Sequence, residues 1–223
     1  MALDLSPLAI SLKVAFLATF FTFFLGIYAA RLVMRLGRGR GLVDGFFTLP
    51  LVLPPTVLGF FLLLIFGKNS PVGQFLAQFD VSIVFSWVAA VISSTVVSFP
   101  LMYRTARGAF EQLDQNLVYA ARTLGLSERA IFWKIILPVS LPGVAAGCIL
   151  AFARALGEFG ATIMLAGNIP GRTQTMAVAV YTAVQAGNRE LAYRWVIVIV
   201  LISFATIALM NACTEWQRRR ARR

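Results

Sequence analysis

Two ionisable residues of this chain stand where charge is costly. Arg154 and Glu158 lie four apart at the end of an apolar stretch, followed directly by Phe159 and Gly160. At that spacing on a helix the two side chains share a face and can pair, although Arg before Glu is the weaker order. Ionisable groups at such a depth face protein or water rather than lipid. The pair therefore either anchors a helix end or stands at a gate. Composition restricts other chemistry. With no His, and with Cys148 and Cys213 far apart in apolar stretches, a His/Cys metal centre and a Ser-His or Cys-His device are excluded. The two cysteines read as small buried hydrophobes rather than a disulfide. The nine carboxylates are scattered, so no acid/base cluster forms. A nucleotide loop of the form G-x-x-x-x-G-K-[ST] is missing, since Gly67-Lys68-Asn69 lacks both the earlier glycine and the hydroxyl. The glycine-rich run 37–45 lacks the context of a dinucleotide fingerprint and reads as a tight loop. The chain is thus expected to bind no cofactor or metal and to carry no catalytic residue.

The elements that position these residues must live largely in lipid. Of 223 residues, 59% are hydrophobic and 13% charged, with mean hydropathy +0.82, more apolar surface than one soluble core can hide. Five segments are long and apolar enough to cross a core of about 30 Å: 8–31, 46–66, 82–103, 138–158 and 195–214. The first reads as a retained transmembrane helix rather than a signal peptide, because an arginine cluster follows where a cleavage site belongs. A sixth stretch, 173–187, opens on Thr173, Gln174 and Thr175 and reads as a short outer or re-entrant helix. The fold class is therefore all-α, a polytopic membrane protein forming a single domain over 1–223. A net charge of +11 does not indicate nucleic acid, because the basic residues sit between apolar runs. With the amino terminus outside and the carboxyl terminus inside, 14 of the 20 basic residues fall on the cytoplasmic side. The tail from Gln217 to Arg223 then reads as an anchor to anionic lipid.

The longest polar connection, 105–137, has internal order. Phe110, Leu113, Leu117, Ala121 and Leu124 recur at three- and four-residue intervals and predict an amphipathic helix. Gly125 fits the position just past its end, and Ser127 fits the N-cap of a second helix that stops near Pro138. Leu126 and Ile131 are spaced as a hydrophobic staple. Such an elbow either lies on the lipid interface or docks a partner. Span two carries Leu49-Pro50-Leu51-Val52-Leu53-Pro54-Pro55-Thr56, which predicts a kinked helix, either purely structural or lining a pathway. Span four carries Pro138 and Pro142, then Gly143 and Gly147, a small-xxx-small pair suited to close helix contact.

The spacing Ala120-Ala121, Gly125, Ile135 and Leu137-Pro138 resembles the "EAA" loop of permease subunits in binding-protein-dependent ABC importers. The run from Ala153 to Thr175 and the proline run of span two are similar to molybdate importer permeases and, more distantly, to sulfate importer permeases. One departure is Tyr119, which stands where the family places a Glu. The resemblance implies ATPase coupling through Ala120, Ala121, Leu124, Gly125, Ser127, Glu128 and Arg129. It also implies a pathway or gate at Pro54, Pro55, Thr56, Arg154, Glu158, Phe159, Gly160, Thr162 and Arg172. The hydroxyls of Thr162, Thr173 and Thr175 beside Arg172 would favour an oxyanion without holding it tightly. The implied partners are a second copy of the chain, two ATP-binding subunits that use ATP and Mg, and a periplasmic molybdate-binding protein, all at a bacterial inner membrane. The expected cargo is molybdate, with tungstate or sulfate as alternatives; a secondary transporter would need inverted repeats and mid-membrane coupling residues, and neither is found.

Overall fold

A computed structural model describes residues 4–221, with side chains described through residue 212. Cys213 and the side chains of the basic tail lie outside that description. Helix α1, Ser6–Arg35, starts with Pro7 in its first turn, where a missing N–H costs nothing. It packs against α5, Trp87–Glu111, and α8, Leu137–Leu156, and the three form the centre of the molecule. Small residues set how closely they approach. A Cβ on Gly147 would come within 3.1 Å of Met102 and Thr105, and one on Gly143 within 2.5 Å of the Ala109 side chain. The Gly143 and Gly147 pair thus serves the close packing expected of it.

Among the described residues, four helices are long and apolar enough to cross a membrane: Ser6–Arg35, Trp87–Glu111, Glu128–Leu156 and Arg189–Ala212, the last within α11, Arg189–Ala221. The expected second span is not one kinked helix. It consists of α2, Arg40–Val52, and α3, Pro55–Phe66, bent by 111° relative to each other, and it brings the number of crossings to five if counted as one. The cause is Pro54-Pro55, because a residue before proline is driven out of the helical region. Leu53 and Pro54 accordingly sit at ψ 138° and 136°. The pair also starts earlier than expected. Only the turn around Gly39, at φ 85°, remains of the loop read over 37–45.

Three further short helices among the described residues are α4, Pro71–Ala77; α9, Gly160–Ala166; and α10, Met176–Gln185. At 10 residues α10 is about 15 Å long, half of what a crossing needs. Between α5 and α8 stand α6, Gln115–Thr123, and α7, Glu128–Ile131. The second elbow helix does not stop near Pro138. A π-helical turn, Phe132–Ile136, carries α7 straight into α8, with the Leu137 N–H reaching back to the Phe132 carbonyl. The wider turn accommodates the missing N–H of Pro138, and Glu128–Leu156 runs as one helix of 29 residues, about 44 Å.

Candidate functional site

The elbow is built by local signals. Asp114 starts α6 by accepting from the Asn116 N–H at 2.9 Å. At the other end Gly125, at φ 77°, closes a Schellman motif: its N–H donates to the Arg122 carbonyl at 2.9 Å, and the Leu126 N–H to the Ala121 carbonyl at 3.1 Å. The Ser127 hydroxyl accepts from the Ala130 N–H at 3.3 Å. Leu113, Val118, Ala121 and Ile131 form a small core with Leu126 against it. The expected amphipathic face is corrected at its edges. Phe110 belongs to α5, across the break at Asp114, so the three- and four-residue pattern does not continue through it. Within α6 the buried side is that of Val118 and Ala121, and Leu117 and Leu124 lie at its edge, with Leu124 81% exposed. Tyr119 and Trp133 are exposed as well, as are Ala120, Gly125 and Arg129. Arg122 and Glu128 do not stand free. They pair across the turn at 2.7 and 3.3 Å, and the carboxylate raises the Arg122 pKa above its ordinary value.

At the far end of α8 two broken helices meet. The Glu158 side chain is 1% exposed; one oxygen takes the Arg154 guanidinium at 2.8 Å and the other accepts from the Ala161 N–H at 2.7 Å. A single buried carboxylate thus ties the end of α8 to the start of α9. Arg154 remains 31% exposed, so the pair keeps a solvent-facing cation over a buried anion. Gly160 lies against the other break: a Cβ there would sit 2.9 Å from Pro55 Cβ and 3.3 Å from the Thr56 nitrogen. One on Gly59 would sit 2.8 Å from Ala161 Cα. Pro54 and Thr56 are exposed beside this contact, and Phe159 packs on Tyr181 of α10 at 5.0 Å. The structure therefore brings Pro55, Glu158, Phe159 and Gly160 together. It does not bring the expected hydroxyls to an open wall. Thr162 is fully buried and bonded to Ser93 at 3.1 Å, Thr173 accepts from the Ile169 N–H at 3.0 Å, and Thr175 caps α10. Of that outer group only Arg172 faces outward.

A third arrangement was not foreseen from the sequence. Asp44 of α2 accepts from the Tyr103 hydroxyl at 2.7 Å and from Arg107, which also donates to Glu111 at 2.9 Å; Arg40 of α2 reaches the same Glu111. This network fastens α2 to the end of α5 that leads into the elbow. Its signal was present as four-residue steps, 103, 107 and 111 on one helix and 40 and 44 on the other. Nothing in either segment alone says that the two faces meet.

An all-helical bundle with an elbow between two crossing helices and a broken helix pair defines a membrane component of a transporter. The chain matches the family described as the binding-protein-dependent transport system inner membrane component over residues 22–223, and it belongs to that family. It is 44% identical to the molybdenum transport system permease protein of Escherichia coli K12 over 216 residues, covering 96% of this chain and 93% of that one. It is 42% identical to the corresponding protein of Haemophilus influenzae, covering 98% and 95%. The sulfate transport system permease protein of Salmonella typhimurium is 34% identical, covering 91% and 73%. The fold is shared with the membrane subunit of a bacterial alginate ABC transporter, at TM-score 0.75 and 14% identity over 95% and 78% of the two chains. It is also shared with that of the MetNI methionine ABC transporter, at TM-score 0.67 and 20% identity over 93% and 94%. The chain is a membrane protein and a permease subunit, a role that is not itself catalytic.

Proposed function

We propose that this chain is the permease of an ATP-driven importer that passes molybdate from a periplasmic binding protein to the cytoplasm by alternating access. The observation that carries the reading is 42–46% identity, over nearly full length, to proteins named for molybdenum transport. The sulfate permease, at 34% with 73% of its length covered, is the weaker match. Two copies would form the path and two ATP-binding subunits would use ATP and Mg. The amino terminus would lie outside and the carboxyl terminus inside, as the arginine distribution favours.

The coupling segment 105–137 is assigned to the ATPase contact because it exposes four large apolar side chains, Leu117, Tyr119, Leu124 and Trp133. The same 29-residue helix that begins at Glu128 carries Arg154 in its last turn and ends at Leu156, at the α8–α9 break. A displacement of the elbow would reach the junction through that rod together with α5. The gate is placed at Pro54, Pro55, Thr56, Arg154, Glu158, Phe159 and Gly160. Here two helix breaks let backbone rearrange while Arg154 offers a cation to a passing oxyanion. Arg172 lies outward of that path; Thr162 supports α9 from within. Tight binding in the permease would slow release, so selection belongs to the soluble binding protein.

Uptake of labelled molybdate by cells lacking their own permease, supplied with this chain and its accompanying subunits, tests the reading. ATP-dependent uptake that excess sulfate leaves intact supports it. Uptake suppressed by equimolar sulfate would instead select the sulfate reading. Micromolar binding of molybdate to the purified permease alone would overturn the division of labour with the binding protein.

A further inference from the structure

Around the arginines at the end of α1 the structure holds a cavity of about 350 Å³. Its wall carries Arg31, Arg35, Arg40 and Arg122 against two carboxylates, Glu111 and Glu128. Each carboxylate is already taken: Glu111 by Arg40 and Arg107, and Glu128 by Arg122. Arg31 and Arg35 have no carboxylate within salt-bridge distance among the described residues. The Arg31 guanidinium lies over the Phe132 ring at 4.1 Å, and its Nε is buried with no hydrogen-bond partner. Phe110 and Phe132, edge to face at 5.7 Å, are buried behind the wall, and the half-buried Met34 and Ile136 supply its apolar surface.

We propose that this cavity binds the phosphate headgroup of an anionic phospholipid, with Arg31 and Arg35 taking the phosphate and the glycerol end resting against Met34 and Ile136. Arginines that merely snorkel to the headgroups need no cavity. Here two arginines that make no ion pair among the described residues line one concave pocket at the end of a crossing helix, where headgroups lie. Arginine presents several donors to a phosphate at once, and basic pockets between crossing helices on the cytoplasmic side suit anionic headgroups. The apolar surface of Met34 and Ile136 argues for an amphiphile over a free ion, which would gain nothing from it. The π-helical turn begins at Phe132. A bound headgroup would therefore brace the joint between elbow and span.

The leaflet assignment rests on the orientation proposed above; the site itself does not. The full chain, purified in micelles holding equal amounts of phosphatidylglycerol and phosphatidylcholine, would be examined by native mass spectrometry for retained lipid. Wild type is expected to retain phosphatidylglycerol preferentially. Arg35→Gln, at an exposed position, should weaken retention about fivefold, and Arg31→Gln with Arg35→Gln about thirtyfold, from the usual contribution of each arginine near a membrane surface. Arg31→Lys, which keeps the charge over Phe132, should restore most of the loss seen in Arg31→Gln. Equal retention by wild type and the double variant overturns the site. Displacement by excess inorganic phosphate overturns the lipid as occupant in favour of a free anion. Displacement on adding the ATPase subunit makes the cavity a protein contact instead and likewise overturns it. Orientation is read separately, by labelling Gly37→Cys in a cysteine-free background on intact spheroplasts. External labelling overturns the leaflet while lipid retention by the wild type stands.

Discussion

Gly125 and Gly160 both stand at helix breaks, and they are needed for opposite reasons. Gly125 holds a left-handed backbone, φ 77°, with open space around the position where a Cβ would be. Gly160 has no left-handed backbone but no room, because Pro55 of another broken helix lies against it. One break is specified by its own neighbours and shows large apolar side chains outward. The other is specified by a distant segment and hides a carboxylate. The elbow is therefore a surface that a partner can grip without disturbing the core, whereas the junction cannot move without repacking. The proposed coupling would use that difference, with a handle held by local contacts at one end and a tightly packed junction at the other.

Removing the buried carboxylate should produce the largest effect. Glu158→Ala strips α9 of its first-turn acceptor and leaves Arg154 without an anion. A fully buried pair broken on one side costs about 3–5 kcal/mol. Arg154 is a third exposed, so water takes back part of that, and about 3 kcal/mol including the lost cap is expected. Thermal unfolding in detergent checks it, and Glu158→Gln, which keeps an acceptor for Ala161, should recover part of the loss. If Glu158→Ala melts like wild type, the junction is not held by this carboxylate and the contrast with the elbow fails.

Steric crowding comes next. Gly59→Ala would push a methyl group into the backbone at Ala161, and overpacking of this kind costs about 1–3 kcal/mol. The same change at the elbow, Gly125→Ala, meets no atom and pays only for its left-handed backbone, about 1 kcal/mol. Gly125→Trp should leave the protein in the membrane yet separate ATP hydrolysis from transport in proteoliposomes. Wild-type coupling in that variant would remove the elbow's assigned role. Asp44→Asn sits between the two regions. It weakens bonds from Tyr103 and Arg107 that are only partly shielded, for about 1 kcal/mol.

How far each region could be read in advance follows from the range of its interactions. The Schellman turn at Gly125, the Ser127 cap and the Leu126–Ile131 staple all lie within a few residues of each other, and each was legible. Proline at 54 and 55 announced a break. The 111° angle did not follow, because it depends on Gly59 and Gly160 finding each other's helices across about a hundred residues. The hydroxyl of Thr162 looked available for an ion and is bonded to Ser93, a partner no local pattern names. Leu117 and Leu124 were read onto one apolar face with Phe110 and Leu113 by a periodicity that ran through the Asp114 break. An N-cap resets the phase of a helix, and apolar spacing counted across one assigns the wrong side.

The smallest effect on stability is expected at Arg122, and it sharpens the comparison most. Its pair with Glu128 has good geometry, yet both side chains are about half exposed, and water and salt screen such a pair. Arg122→Gln should therefore leave thermal unfolding unchanged. If the elbow is a docking surface, the same substitution still matters, because covering the pair with a partner removes the water that screens it. ATPase association, followed by co-purification at rising salt, should then weaken in Arg122→Gln while the fold persists, and Arg122→Lys should recover part of it. A variant that associates normally but melts early would make the pair a brace of the turn. One that does neither would leave the docking to Leu117, Tyr119, Leu124 and Trp133, whose exposed apolar area is the larger feature of the elbow.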